Sequence, residues 1–287
     1  MRGQISHGLV RLYERAASGG LLDRPVPRSA YESVYLAYKR LIEAGPIDAL
    51  RQVVGHGSTV VDVGANIGFF SLRFARWVGP TGSVVAIEPE VRNIDSLRRR
   101  VEHAGLSEVV TCVHAAAADR TGQLRLAINR GHPGDHRLAD AGEPVAAVTL
   151  DELAADEPRP VTLVKIDVQG AESMVLAGAR RLMERHRPAV FVEIHEPSLV
   201  RLGSSRRELI DTLVGLNYSG HMLRRSGIGP PERPEDLIAR SSQGYIDVLF
   251  LPQSSPHRRV SGTCAEVASN VSVPPNLLGT RRHPPDA

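Results

Sequence analysis

Four apolar runs in this chain end in ionisable side chains, and the spacing of those ends lays out a binding site. Val60-Val61-Asp62-Val63 passes straight into Gly64-Ala65-Asn66-Ile67-Gly68, and Val84–Ile87 ends at Glu88-Pro89. Lys165-Ile166-Asp167 leads to Val168-Gln169-Gly170, and Val192-Glu193-Ile194-His195 closes the last run. Strand, acid, Gly-rich turn and helix in direct succession make a nucleotide-sized pocket at the C-terminal edge of a doubly wound α/β sheet. The turn differs from the dinucleotide fingerprint G-x-G-x-x-G, whose second glycine admits a pyrophosphate and whose third packs helix on strand. Counted from Gly64, those places hold Asn66 and Phe69, which disfavours a phosphate cradle. Asp62 would instead attract a cationic tail. Gly64 and Gly68 allow close backbone approach, and Asn66 tolerates the left-handed conformation. Glu88 stands where an acid accepts hydrogen bonds from ribose hydroxyls. An adenosine with a cationic, phosphate-free tail suits both acids, and S-adenosylmethionine has that shape.

The other two ends carry groups suited to proton transfer. Period two along a strand puts Lys165 and Asp167 on one face, and Glu193 and His195 likewise. Charges in an otherwise apolar strand need partners or a task. Asp167 at the rim could orient or deprotonate a hydroxyl, and His195, which titrates near neutrality, could serve as general base. Lys165 and Glu193 would then orient or balance charge. Lys39 and Lys165 are the only lysines among 35 basic residues, so a compact ammonium is preferred at this spot. Asp167, Glu193 and His195 could also hold a divalent metal, although no tight ligand spacing enforces it. The plain alternatives are a helix-capping role for Asp62, a surface carboxylate at Glu88 and a structural ion pair of Lys165 with Asp167. His132 and His136, in a polar loop, are weaker candidates.

Positioning these residues requires alternating strands and helices. Strands are expected at Thr59–Val63, Val84–Ile87, Val109–Val113, Thr162–Val168 and Ala189–Ile194. Ile67, Phe70, Phe74 and Trp77 mark one helical face that stops at Gly79-Pro80; Val91, Ile94, Leu97 and Val101 mark the next. Nearly continuous apolar strands alternating with helices imply a parallel sheet covered on both faces. Gln123–Ile128 reads as an extra strand, and 129–144 as a polar Gly/Pro loop long enough to act as a lid. A helix is expected to start near Gly170 and another to run over 205–216. Segments near 218–225 and 246–251 would close the sheet as a hairpin. Residues 1–54 form an N-terminal arm and cap helices, 55–252 the catalytic domain, and 253–287 a Ser-, Pro- and Arg-rich tail without periodicity, expected to be disordered.

Composition narrows the function classes. A net charge of +3 arises from interspersed charges, 35 basic and 32 acidic, rather than a basic block, so nucleic acid is not the expected partner. Cys112 and Cys264 stand far apart, which gives no disulfide framework and no metal-spaced pair. No 18-residue apolar run is present, and the first residues lack a clean signal core, so a cytoplasmic location is expected.

Together these motifs resemble the FkbM family of S-adenosylmethionine-dependent methyltransferases. The resemblance rests on V-V-D-V-G-A-N-I-G-F-F-S-L (60–72), V-V-A-I-E-P-E (84–90), A-A-A-A-D (115–119), T-L-D-E-L (149–153), K-I-D-V-Q-G-A-E (165–172) and V-E-I-H (192–195). It implies a seven-stranded Rossmann-like α/β methyltransferase sheet and O-methylation of hydroxyls on sugars, glycolipids or polyketide-type natural products. Cofactor contacts carry over to Asp62, Gly64, Asn66, Gly68 and Glu88, with Ala116 and Asp119 beside the adenine. Gln169 departs from the family, which usually has an acid there; Asp167 and Glu172 remain. The rival classes are an RNA methyltransferase, a nicotinamide-dependent oxidoreductase, and a cofactor-binding interaction protein without catalysis. The I-D-V-Q-G segment offers no aromatic on which a flipped base would stack.

Overall fold

The computed structural model describes residues 44–129, 136–240 and 244–253, with Glu32 and Leu36 from the segment before. The expected arm, most of the cap helices, the tip of the 129–144 loop with His132, and the tail with Cys264 lie outside the described residues. The first helical turn described, α1 (Ala44–Ile47), runs into a 3-10 turn over Asp48–Gln52 that buries Leu50.

The parallel core follows directly from the apolar runs. β1 (Thr59–Val63), β2 (Ser83–Ile87), β3 (Val110–Val113), β8 (Val161–Ile166) and β9 (Ala189–His195) lie in the order β3-β2-β1-β8-β9. Every residue of β1 is buried, as a strand covered on both faces must be. One face, with Val60, Val84, Leu163 and Phe191, packs under α2 (Ser71–Val78) and α3 (Val91–His103) through Phe74, Ile94 and Leu97. The other face, with Val61, Val164, Val190 and Val192, meets α5 (Glu172–Ala177), α6 (Arg180–His186) and α8 (Arg206–Gly215) through Val175, Leu182 and Leu209.

Three antiparallel strands complete the sheet: β10 (Tyr218–Arg224), β11 (Gly227–Glu232) and β12 (Tyr245–Pro252). β12 sits between β9 and β10, and β11 pairs on the outside of β10. The sheet therefore has eight strands rather than the seven expected. The additional one, G-I-G-P-P-E, lacks a strand signature because two prolines cannot donate to a ladder. An outermost strand tolerates them, and there they also discourage pairing with another chain.

A second, four-stranded sheet was not foreseen as a unit. β4 (Ala116–Ala117), β5 (Gly122–Ala127), β6 (Arg137–Leu138) and β7 (Glu143–Val148) pair in the order β4-β7-β5-β6. Its small core of Ala116, Leu126, Leu138 and Val145 includes Ala171 from the turn after β8. The described part of the expected lid loop thus contains β6 and the start of β7, with irregular chain between them. After β7, α4 (Leu150–Leu153) is capped by the Thr149 hydroxyl, which accepts from the Glu152 amide.

Two expected helices begin or end differently. Ile67 and Phe70 are buried as foreseen, yet α2 starts only at Ser71, because Asn66 and Gly68 take left-handed conformations in the preceding turn. The helix expected after Gly170 is broken in two at Gly178. A Cβ added at Gly178 would lie 2.0 Å from the Ala118 carbonyl oxygen, so the small sheet and the α5–α6 corner meet there backbone to backbone. Gly178→Ala is expected to lower unfolding stability by about 1–3 kcal/mol, as overpacking does. Urea unfolding followed by circular dichroism would measure it.

Candidate functional site

The carboxyl ends of β1, β2 and β8 and the edge of the small sheet border an open cleft of about 590 Å³, its solvent-filled mouth included. Gly64, Asn66, Glu88, Asn93, Ala116, Leu126, Leu138, Asp167 and Gln169 are among the residues on its walls. Six residues singled out as cofactor or catalytic contacts, Asp62, Gly68, Asp119, Lys165, Glu193 and His195, do not line it.

The β1 turn explains part of this division. Gly64, Asn66 and Gly68 all have positive φ, at 73°, 49° and 90°. Gly64 is obligatory: a Cβ there would stand 1.9 Å from the backbone oxygen of Asp167, so the ends of β1 and β8 interlock with no space for a side chain. Asn66 presents its amide to Glu88 Oε2 at 2.8 Å. Gly68 faces away, toward Leu72 and Leu97.

Asp62 is wholly buried and accepts the Ser71 hydroxyl at 2.6 Å, tying the strand to the first residue of α2. Its other oxygen lies 3.2 Å from the Lys165 ammonium, which is itself 2% exposed. That ammonium also donates to the carbonyls of Gly64 at 2.8 Å and Val63 at 3.2 Å, and stands 3.7 Å from Asp167 and 5.1 Å above the Phe70 ring. Burial works against the charge, but Asp62 and Asp167 outweigh it and hold the lysine pKa above its ordinary value. Lys165 is thus a protonated tie between two strand ends. Three converging oxygens suit a compact ammonium better than a planar guanidinium.

Glu88 is 4% exposed and sits on the cleft wall. It accepts from the amides of Asn66 and Glu90 and, at 3.4 Å, from the Asn93 side chain. With three of about four lone-pair sites taken, the carboxylate has room for one further donor. Burial prevails over these bonds and raises its pKa to about 7. Asn93 and Glu90, which caps α3, escaped the sequence reading; the E-P-E-x-x-N spacing before a helix was the available signal.

The turn after β8 holds the remaining wall. Asp167 accepts a bond from the Gln169 amide at 3.3 Å, and Gln169 adopts a left-handed backbone with φ 56°. Glu172, 2% exposed, accepts from the amides of Gly170 at 3.0 Å and Val168 at 3.4 Å and so braces the turn from inside. Burial raises its pKa to about 7 as well. Gly170, at φ 110°, lies against the Ser198 carbonyl, which a Cβ would approach to 2.3 Å.

His195 and Glu193 stand one strand further and do not line the cleft. The His195 ring stacks on Tyr245 of β12 at 4.2 Å between centroids, and its Nδ1 pairs with the Ser198 hydroxyl at 2.8 Å. Tyr245 in turn donates to Gln169 Oε1 at 3.4 Å. Glu193 lies opposite Asp247 in the β9–β12 register and contributes to the field that keeps Lys165 charged. Ala116 is on the cleft wall as foreseen, whereas Asp119 is exposed and paired with Arg120 at 3.2 Å. His136 lines the cleft, its Nδ1 accepting from the Asn129 amide at 3.1 Å. Among the described residues no group of three His, Cys, Asp or Glu side chains is placed to hold a metal, and no helix is long and apolar enough to cross a membrane.

The family model of the methyltransferase FkbM domain matches residues 62–219. Among solved structures, the chain is similar to methyltransferase FkbM from Methylobacillus flagellatus KT, at 18% identity and TM-score 0.44, over 77% of this chain and 54% of that one. The chain therefore spans about half the length of that protein. It is also similar to an S-adenosylmethionine-dependent O-methyltransferase from Thermotoga maritima, at 14% identity and TM-score 0.40, over 75% and 66% of the two chains. Fibrillarin from Aeropyrum pernix, solved with natively bound S-adenosyl-L-methionine, matches at 13% identity and TM-score 0.42, over 72% and 73%. No curated protein matches in sequence.

Two outcomes follow from the buried charges. Lys165→Met leaves Asp62 uncompensated in the core and should cost about 3–5 kcal/mol of stability. Adding Asp62→Asn should recover much of that, which a double-mutant cycle by urea unfolding would read. Glu88 and Glu172 both titrate near 7 when folded, against an ordinary 4.5. Between those values the folded protein binds more protons than the unfolded chain. Stability should therefore be greatest below about pH 4.5 from these two groups and fall as pH rises to 7, by at most about 1.4 kcal/mol per pH unit for each. Glu88→Gln and Glu172→Gln should each flatten that decline in unfolding experiments between pH 5 and 8.

Proposed function

This chain belongs to the FkbM family of S-adenosylmethionine-dependent methyltransferases, and on that premise we propose that it methylates a hydroxyl of a sugar, glycolipid or polyketide-type natural product. The observation that carries the proposal is the cleft itself: Glu88 keeps one acceptor site open, Gly64 and Asn66 present backbone, and Asp167 stands on the same wall. The apolar Ala115–Ala117 stretch, Leu126 and Leu138 suit an adenine, and the open site on Glu88 suits one ribose hydroxyl. In this assignment Gly64, Asn66, Glu88 and Ala116 touch the cofactor, whereas Asp62 and Gly68 shape the turn from behind. The methyltransferase domain is assigned to 55–252, after the arm and cap over 1–54 and before the 253–287 tail, with a cytoplasmic site of action.

When bound, S-adenosylmethionine supplies a methyl group already activated on a sulfonium. The chain's task is to align an oxygen behind that carbon, keep water out and accept a proton. Asp167 is the base in this proposal, since it alone of the sheet-end groups Lys165, Asp167, Glu193 and His195 lines the cleft. It would take up the proton that the acceptor hydroxyl gives up. Lys165 holds Asp167 in place, and His195 acts at a distance by stacking on Tyr245, which contacts Gln169. Glu193 supports the charge of Lys165. Among the described residues no Phe, Tyr or Trp lines the cleft, which supports a saturated acceptor over a flipped base.

Calorimetry should show binding of S-adenosylmethionine and none of NAD. Affinity should tighten as pH rises through 7, because ionised Glu88 is the better acceptor. Glu88→Gln should weaken binding about tenfold at pH 8 and remove that pH dependence. In a radiolabelled methyl-transfer screen over glycans and natural products, Asp167→Asn should lower kcat about 10²–10⁴-fold with cofactor affinity within about threefold. Unchanged turnover in Asp167→Asn would sink the assignment of the base.

A further inference from the structure

A second cleft, of about 850 Å³, adjoins the first. Arg137, Leu138 and Gln169 line both, so the Gln169 side chain and the β6 strand form the partition between them. Beyond the partition the walls are Ala139, Asp140, Ser198, Arg201 and Leu202. Two arginines and one aspartate thus line this cleft.

Arg201 is the telling residue. It ends α7 (Glu196–Arg201), is exposed, and has no carboxylate within ion-pair distance among the described residues. Its position is nonetheless set. It donates to the Ser198 hydroxyl at 2.8 Å, and Ser198, 1% exposed, is held by the His195 imidazole on its other side. The Ser198 backbone also abuts Gly170, so the turn carrying Gln169 and the helix carrying Arg201 are in direct contact. A string from His195 through Ser198 to Arg201 therefore fixes a guanidinium at the mouth of a cleft whose inner wall is shared with Asp167's neighbour Gln169. Mere solvation of a surface arginine would not require this buried serine bracket.

We propose that this second cleft binds the methyl acceptor by an anionic group, a carboxylate or a phosphate, gripped by Arg201, with Arg137 also on its wall. The acceptor's hydroxyl reaches past Gln169 toward Asp167. Asp140 accepts a further hydroxyl of the same molecule. The acceptor is then a polyhydroxylated acid, of the sugar-acid or sugar-phosphate kind. This inference rests on the methyltransferase assignment only for the word acceptor; the anion site stands on the geometry of Arg201.

The test is calorimetric titration of the full chain with glucuronate, glucose 6-phosphate and neutral methyl glucoside, each with and without saturating S-adenosylhomocysteine. One or both anions should bind saturably and weaken with added salt, and methyl glucoside should bind at least about tenfold more weakly. The tighter anion identifies the group. Arg201→Gln should weaken anion binding about tenfold or more, Arg201→Lys by only a few-fold, and both should leave S-adenosylhomocysteine affinity within twofold. Equal binding of the neutral sugar, absence of anion binding, or indifference to Arg201→Gln would overturn the proposal. Failure of S-adenosylhomocysteine to bind would instead count against the first cleft's assignment, while the titrations without it still decide this one.

Discussion

The ammonium of Lys165 is the interaction on which the described site depends. A cation buried to 2% exposure would be untenable alone, and every group that makes it tenable belongs to a different part of the site. Asp62 connects it to Ser71 and so to α2; the carbonyls of Val63 and Gly64 connect it to the β1 turn; Asp167 connects it to the β8 turn. The close approach of Gly64 to Asp167 is the steric counterpart of that electrostatic tie. One charge thus sets the distance between the wall that would face the cofactor and the carboxylate that would face the acceptor.

The turn from Asp167 to Glu172 is held in an unfavourable backbone by its surroundings. A non-glycine residue in the left-handed region costs free energy unless neighbours over-determine it. Here the Gln169 amide bonds Asp167, its carbonyl takes the Tyr245 hydroxyl, and the Glu172 carboxylate gathers the next amides from below. Because Gly170 rests on Ser198, the same turn also positions α7. Strain at this point is consistent with a partition between two clefts, where a side chain must be aimed rather than merely packed.

Much of this was legible in the sequence. Parallel strands buried on both faces read as near-continuous apolar runs, and all five were bounded within two residues, since nothing competes with hydrophobic burial there. Glu88, Gly64, Asn66 and Asp167 were found because a strand end, a turn and an acid form a local unit. Asp62 was seen but its direction was not. The pattern V-D-V-G reveals an acid at a strand end, whereas its pairing with Lys165 depends on a register between segments a hundred residues apart. β11 was missed because its prolines are permitted only by an edge position that the local sequence cannot express. The small second sheet was missed for a similar reason: β4 and β6 have two residues each, too short to show any period.

The central place of β12 bears on how the chain is made. β9 is complete at His195, yet the strand that covers its open side begins at Tyr245. At about 5–20 residues per second of synthesis, an apolar strand edge stays unpaired for several seconds while the intervening residues emerge. The β10–β11 hairpin forms from neighbouring residues and can wait alongside, but β12 must enter between it and β9. A ribosome that stalls or terminates short of Tyr245 would therefore release a chain with a hydrophobic seam open, exposed to chaperones, proteases and other copies of itself. The His195–Tyr245 stack, which forms only once this strand has begun to emerge, would be among the last contacts made.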